Sequence, residues 1–176
     1  IKVNRVYNTV TVMGKDYNGD YKIPVKAFVC SVGLDEINEE TKKKMETPIG
    51  ETSIYKQRRW AVLASGETWG QYVSFIYWGQ YSMHSVQYSV DGDPGTLYKW
   101  EYVKLGNAAS NGCIRMCVRD VKWIYDNCPV GTPVKIWDDY TSAGPLGKPS
   151  APYLNTNDWR SNWDPTDPNP NNPWNW

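Results

Sequence analysis

Short runs that alternate apolar and polar residues, separated by turn-forming residues, constrain this chain more than any other feature. Two of them, TVTVMG and YKIPVKAFVCSV, lie on either side of a turn at Asn18-Gly19 and predict a β-hairpin. Further runs rich in β-branched and aromatic residues follow within the first 140 residues: ETSIY, WAVLAS, YVSFIYWG, YSMHSVQYSV and TPVKIW. Their number and spacing predict a mainly β fold, either a sandwich or a barrel.

One segment has a convincing helical period. From Val118, the sequence VRDVKWIYDNC places five residues on one stripe: Val118, Val121, Ile124, Tyr125 and Cys128. The PVGT that follows ends this helix, because proline lacks the amide donor and glycine suits a turn. The polar segment LDEINEETKKKM predicts either a short helix or a loop. We therefore expect one short helix packed on β structure.

The composition changes after Trp137. Residues 141–176 are rich in Pro, Asn, Asp and Trp and have no hydrophobic period, which predicts an extended C-terminal tail after a domain of residues 1–140. Large aromatic side chains are seldom left exposed without a use. The tail tryptophans therefore either pack back on the domain or stack on sugar rings, and packing back is the favoured interpretation.

The charge balance argues against one class of partner. The chain has 19 basic and 19 acidic residues, whereas a nucleic-acid-binding protein usually carries an excess of basic residues on one face. The sequence contains no run of about 18 apolar residues, so it predicts no membrane-spanning helix. A signal sequence and an initial methionine are both missing, so we expect the mature part of a longer protein.

Four cysteines offer candidate nucleophiles or disulfides: Cys30, Cys113, Cys117 and Cys128. Cys117 and Cys128 lie at opposite ends of the predicted helix, about 16 Å apart, which is too far for a disulfide. Cys30 and Cys128 can meet either as a pair or as two buried thiols. Cys117 is best interpreted as a small buried hydrophobic residue.

Cys113 stands apart because of its neighbours in SNGCIRMC. It follows Gly112, which allows the backbone to approach a substrate closely. The amides of Asn111, Gly112 and Cys113 can converge on a carbonyl oxygen as an oxyanion hole. The predicted helix begins a few residues later, and its positive end favours a thiolate.

A nucleophilic thiol needs a base, and the chain has one histidine, His84. In a Cys-His enzyme this residue takes the thiol proton and later returns a proton to the leaving amine. The backbone carbonyl of Ser85 can orient its ring. From the residues alone, a surface or hydrogen-bonded core histidine remains the alternative.

Taken together, several segments resemble the L,D-transpeptidase catalytic domain of the YkuD-like family. They occur in family order and span most of residues 1–140: TPIG, MHSVQY, SNGCIRM and VKWIYDNCPVGTPVKIW. The resemblance implies a β-sandwich of the L,D-transpeptidase type, whose sheets cradle the site and whose short helix packs outside. It implies no metal and no organic cofactor.

The resemblance also implies a bacterial cell-wall enzyme that acts outside the membrane on peptidoglycan stem peptides. Members of the family are typically acylated by carbapenems, so we expect the same of this chain. Its cysteine would attack the third residue of a stem tetrapeptide and release the terminal D-alanine. The amine of a second stem would then take the acyl group and form a 3→3 crosslink. If water took the acyl group, the activity would be that of an L,D-carboxypeptidase. We expect a monomer.

Carried over residue by residue, Cys113 matches the family nucleophile, His84 the base and Ser85 the carbonyl that orients it. Asn111 and Gly112 match the amides that join Cys113 in the oxyanion hole.

Four further residues are candidates for substrate binding. Arg115 matches a position that can steady the carboxylates of the stem, with a structural ion pair as the alternative. Trp78, Tyr81 and Tyr88 flank the histidine and either line the groove or pack in the core.

The sequence departs from the family pattern in two places. Asn111 stands where the family usually has a histidine, and the stretch between His84 and Ser110 is longer than usual. A long loop beside a site often acts as a lid or substrate wall. The substituted Asn111 keeps one more alternative open, a peptidoglycan-binding module that has lost catalysis.

Overall fold

Two β-sheets form the framework of the protein in a computed structural model that describes residues 1–63 and 66–175. The nine strands are β1 (Lys2–Asn4), β2 (Thr9–Lys15), β3 (Tyr21–Val29), β4 (Gly50–Ser53), β5 (Lys56–Val62), β6 (Trp69–Ile76), β7 (Tyr81–Ser85), β8 (Ile114–Met116) and β9 (Pro133–Trp137). The predicted mainly β sandwich is therefore confirmed.

The first sheet has the strand order β3-β2-β1-β9-β4. Strands β2 and β3 form the predicted antiparallel hairpin, in which Val10 faces Phe28. Strand β1 continues the sheet by pairing in parallel with β9, and Val3 lies opposite Ile136. The first and the last strand of the sandwich in sequence are therefore neighbours in this sheet.

The second sheet has the strand order β5-β6-β7-β8. Its first three strands are antiparallel, whereas β7 and β8 run parallel. Parallel neighbours need a crossover connection. Residues 86–113 supply it and include the short helix α1 (Lys99–Tyr102).

The predicted helix is confirmed as α2 (Val118–Asn127), which buries Val118, Val121 and Ile124 and packs on β6 and β7. A 3-10 turn lies at Pro173–Asn175, and Tyr77–Gly79 form a tight turn whose three residues all have positive φ. The polar segment 34–45 is a loop and not a helix, held by a bridge between Ile37 and Lys44. The last two residues of the predicted run WAVLAS lie outside the described residues. Across the ranges given above, no helix has the length and apolarity to cross a membrane.

The hydrophobic core lies between the sheets and under α2. Val3 and Val10 of the first sheet, Met83 and Ile114 of the second and Ile124 of α2 are all fully buried. Each such side chain contributes about 1.5–3 kcal/mol through removal from water. This core fixes the positions of β7 and β8.

Residues 141–175 of the C-terminal segment pack on the sandwich, as the favoured interpretation of the tryptophans predicted. Leu154 is buried, the ring of Trp174 lies against the core, and Trp163 lies beside Gly95. Trp159 remains 76% exposed, and Trp176 lies outside the described residues. The boundary near residue 140 is therefore a change of composition and not a separation in space.

Asp164 ties this segment to the start of α2. Its carboxylate is buried and accepts hydrogen bonds from the amide of Val118 at 2.7 Å and the hydroxyl of Tyr102 at 3.0 Å. The amide and hydroxyl of Thr166 donate to the same group, each at 2.7 Å. Burial raises the pKa of Asp164 to about 6 in spite of these donors. A carboxylate near the N-terminus of a helix also interacts favourably with the helix dipole.

Candidate active site

The parallel pairing of β7 with β8 brings the candidate base and nucleophile to one face of the second sheet. Met83 lies opposite Ile114, and continuing this register places Ser82 opposite Cys113. Ser82 Oγ and Cys113 Sγ lie 3.6 Å apart, as the register requires. Side chains alternate between the faces of a strand. Ser82, His84 and Cys113 therefore share a face, and Met83 and Ile114 point into the core.

A turn at residues 110–113 presents the cysteine. The hydroxyl of Ser110 donates to the carbonyl of Cys113 at 2.5 Å and accepts the amide of Gly112 at 3.1 Å. Gly112 has φ of +116°, and a Cβ atom there would lie 2.6 Å from Cε1 of Tyr81. Both the backbone conformation and the neighbouring ring therefore require glycine before the cysteine.

Thr47, from the TPIG segment, holds this turn from the other side. Its buried hydroxyl donates to the carbonyl of Gly112 at 2.8 Å and accepts the amide of Gly33 at 2.8 Å. Arg5 in turn binds the carbonyl of Thr47 at 2.5 Å and pairs with Asp138. The sequence assigned no role to TPIG, and in the structure Thr47 holds the turn of the candidate nucleophile.

His84 is held in one orientation by its neighbour's backbone. Its Nδ1 lies 2.5 Å from the carbonyl oxygen of Ser85. A carbonyl can only accept a hydrogen bond, so Nδ1 carries the hydrogen and Nε2 keeps its lone pair. This is the tautomer that a general base needs.

Burial keeps this imidazole neutral. His84 is 2% exposed, and loss of hydration, aided by the positive charge of Arg115, lowers its pKa to about 3. Gly70 makes room for the ring, since a Cβ atom there would lie 3.2 Å from Nδ1. The base is therefore available unprotonated at neutral pH.

Ser82 was missed by the sequence reasoning and is the hydroxyl next to the thiol. It is 3% exposed and lies two residues before His84 on the same strand. The spacing of two residues from the base was the signal that could have indicated it.

Cys113 differs from the other three cysteines in exposure. All four are free thiols, but Cys30, Cys117 and Cys128 are buried whereas Cys113 is half-buried. Burial raises the pKa of each of those three thiols above its ordinary value. The interpretation of Cys117 as a small buried residue agrees with this position, and Cys30 and Cys128 are two separate thiols.

The candidate oxyanion donors are not equivalent. The amide of Gly112 already donates to Ser110 within the turn, which differs from the prediction that it faces a substrate carbonyl. In the part of the chain that the structure describes, no protein acceptor takes the amides of Asn111 and Cys113. Asn111 is exposed. These two amides are therefore the ones left for an incoming oxyanion.

Arg115 forms a structural ion pair, which was the alternative to substrate binding that the sequence left open. Its guanidinium donates to Glu101 at 2.6 Å and to the carbonyl of Ala109 at 3.1 Å, and its side chain is 11% exposed. The ion pair joins β8 to α1. We therefore assign Arg115 to the crossover, where its charge also lowers the pKa of His84.

The three candidate aromatic residues lie in three different places. Tyr81 packs its ring against Gly112, next to the nucleophile. Tyr88 is fully buried, 5.1 Å from the ring of Trp60, so it belongs to the core and not to a groove. Trp78 is 85% exposed and borders a separate cleft.

This mainly β fold places a half-buried thiol and a neutral imidazole on one sheet face, the arrangement expected of a candidate nucleophile and a candidate base. Residues 1–136 match the family model described as the L,D-transpeptidase catalytic domain, YkuD. The chain belongs to the L,D-transpeptidase family, whose members are transpeptidases.

A relative and two solved structures agree with this assignment. The Bacillus subtilis (strain 168) protein YciB, whose name provisionally assigns it to the L,D-transpeptidases, is 32% identical over 77% of this chain and 68% of its own length. An L,D-transpeptidase from Mycobacterium smegmatis has a TM-score of 0.57 at 18% identity, covering 77% of this chain and 57% of that one.

L,D-transpeptidase 3 from Mycobacterium tuberculosis, solved with a faropenem-derived adduct, has a TM-score of 0.54 at 18% identity and covers 78% of this chain. The present chain spans 59% of that structure's length. At these identities the two structures show the shared fold.

Proposed function

We propose that this chain forms 3→3 peptidoglycan crosslinks through a thioacyl-enzyme at Cys113. The observation that carries the proposal is the placement of a half-buried thiol on the same face of β7 and β8 as a neutral imidazole whose Nδ1 is tied to Ser85. Family membership supports the reaction class.

In the first half-reaction, Nε2 of His84 takes the thiol proton and the sulfur attacks the carbonyl carbon of the third residue of a stem tetrapeptide. The amides of Asn111 and Cys113 stabilise the negative oxygen that forms. The carbon–nitrogen bond then breaks, and the D-alanine amine leaves with the proton from His84. The products are free D-alanine and a thioester at Cys113.

In the second half-reaction, the side-chain amine of another stem attacks the thioester. His84 takes a proton from this amine, the carbon–sulfur bond breaks, and the thiol is restored as the new amide forms. Attack by water at the same carbon would release a tripeptide instead. The enzyme would act outside the membrane, in the cell envelope, where its proposed substrate lies.

Incubation with a disaccharide-tetrapeptide followed by mass spectrometry tests the proposal. We expect crosslinked dimers together with free D-alanine. If tripeptide is the sole product, the enzyme is an L,D-carboxypeptidase and does not form crosslinks. No change of the substrate, together with no carbapenem adduct on Cys113, would contradict both reactions and favour a binding module.

A further inference from the structure

A cleft separate from the cysteine opens beside the turn Tyr77–Gly79 that follows β6. Its volume is about 480 Å³, within the range of about 300–1,000 Å³ that is typical of small-molecule sites. The residues around it come from β4, the link between β4 and β5, the turn and the start of β9: Glu51, Thr52, Ser53, Tyr55, Tyr77, Trp78 and Pro133.

An unusual backbone holds Trp78 out into solvent at the edge of this cleft. Tyr77, Trp78 and Gly79 have φ values of 48°, 58° and 92°, so two aromatic residues adopt the left-handed conformation in succession. That conformation costs free energy for any residue with a Cβ atom. The ring it presents is 85% exposed, which indicates that the turn displays Trp78 for contact with something outside the chain.

Tyr55 adds a second exposed ring. It is 49% exposed, and its ring centroid lies 5.5 Å from that of Trp78 at an angle of 58° between the planes. Because the rings are tilted and not stacked face to face, each leaves part of an apolar face open to a ligand. The two rings form an angled aromatic platform.

The charge and polarity of the remaining lining groups indicate which class of ligand the cleft suits. Glu51 is the one ionisable acid or base around the cleft apart from the tyrosines, and it pairs with Lys135 at 3.1 Å. Because Lys135 is already paired with Glu51, the lining favours a neutral ligand over an anionic one such as a stem carboxylate. Hydroxyl groups of Thr52 and Ser53 beside apolar ring faces suit a neutral sugar, which has both hydroxyl groups and an apolar ring face.

Two packed rings connect the lining of the cleft to the turn that carries Cys113. Tyr77 lines the cleft, and its ring centroid lies 6.0 Å from that of Tyr81. Tyr81 in turn contacts Gly112, which precedes the nucleophile. A ligand in the cleft would therefore contact Tyr77, one ring away from the ring that packs on the turn of Cys113.

We propose that the platform of Trp78 and Tyr55 binds the N-acetylated glycan strand of peptidoglycan. This inference rests on the proposed function, because it places the sugar of the same substrate whose stem peptide reacts at Cys113. The platform would hold one strand while its stem is acylated.

Calorimetric titration with a chitin tetrasaccharide, which carries N-acetylated sugars and no peptide, tests the inference. We expect measurable binding to the unmodified protein, with Kd raised about tenfold in Trp78→Ala and about fivefold in Tyr55→Ala. Trp159→Ala is the matched control, since Trp159 is a similarly exposed tryptophan (76%) outside the cleft, and its Kd should not change.

Equal binding by the native protein and both platform variants, or no binding by the native protein, would overturn the inference. Carbapenem adduct formation on the native sample separates the two proposals. Adduct formation without saccharide binding would contradict the glycan-binding inference alone. Saccharide binding without adduct formation would support that inference and contradict the proposed reaction at Cys113.

Discussion

The sandwich and the C-terminal segment of this chain are stabilised by different interactions. In residues 1–136, buried apolar side chains of both sheets and α2 meet in one core. In residues 141–176, most of the buried side chains are polar, among them Ser161, Asp164, Asp167 and Asn172. The amide of Asn172, for example, donates to the carbonyls of Asp164 and Asp167 at 2.9 and 2.8 Å.

The difference teaches where each region is vulnerable. A core spreads its free energy over many contacts, whereas a buried polar group depends on a few directional partners and is costly when one is lost. The candidate active site lies in the first region, and a polar anchor of that region lies in the second. A change at Cys113 should therefore affect reaction without stability, and a change at Asp164 should affect stability without reaction.

The largest effect is expected at the thiol. Cys113→Ala should abolish the carbapenem adduct detected by intact-protein mass spectrometry, while the melting temperature stays close to that of the native protein. Cys117→Ala is the matched control, because this buried cysteine lies four positions along the chain and points into the core. Equal loss of the adduct in Cys117→Ala would contradict a single nucleophile.

Asp164→Ala should affect the other region. It leaves the buried amide of Val118 and the hydroxyl of Tyr102 without their acceptor, so the free energy of unfolding should fall by about 3 kcal/mol in urea titration. Adduct formation per folded molecule should be unchanged. Asp91→Ala, at an exposed carboxylate, should change the free energy of unfolding by less than about 0.5 kcal/mol. Equal stability of the two variants would show that the segment does not anchor α2.

The pH dependence should reflect the burial of His84. Its pKa of about 3 lies below the ordinary value of 6.5, so the rate of adduct formation should show no fall centred on pH 6.5. The unfolded chain takes up the proton first. The contribution of neutral His84 to the free energy of unfolding is therefore complete above about pH 6.5, and it is lost as the pH falls from there towards the folded-state pKa.

A matched variant separates these two effects. His84→Gln cannot be protonated, so the loss of stability between about pH 6.5 and 5 should be smaller than in the native protein, as measured by urea titration at each pH. A native rate that halves near pH 6.5 while the protein remains folded would show instead that His84 titrates as an exposed imidazole.

The smallest effect is expected at Asn111. Its side chain is exposed and its amide is the group placed to meet an oxyanion, so Asn111→His should fold and keep adduct formation within about threefold of native. Stopped-flow measurement of adduct formation tests this. An inactive variant would show that the asparagine side chain has a role of its own.

Much of the fold could be predicted because its signals are local. Alternation in TVTVMG and the turn at Asn18-Gly19 specify the β2–β3 hairpin, and the stripe of Val118, Val121 and Ile124 specifies α2. The packing of residues 141–176 has no such period. It depends on single side chains such as Asp164, which finds its partner 46 residues earlier in the chain.

The same division applies to the site. The segments that carry the candidate residues Cys113, His84 and Ser85 could be recognised from the sequence, because each segment is short and local. The partners that arrange them could not. Thr47 reaches Gly112 across 65 residues, and Glu101 reaches Arg115 from the crossover. Such contacts depend on how the chain folds in three dimensions, which no local pattern records.

The parallel pairing of β1 with β9 has a consequence for how the protein is made. The amino group of Ile1 binds the carbonyl of Pro133, 132 residues away, and Val3 lies opposite Ile136. The first sheet therefore cannot close until almost all of the sandwich has left the ribosome. Contacts this distant in sequence slow folding. The first sheet stays open until β9 has been made, and the segments that carry His84 and Cys113 emerge before it can close.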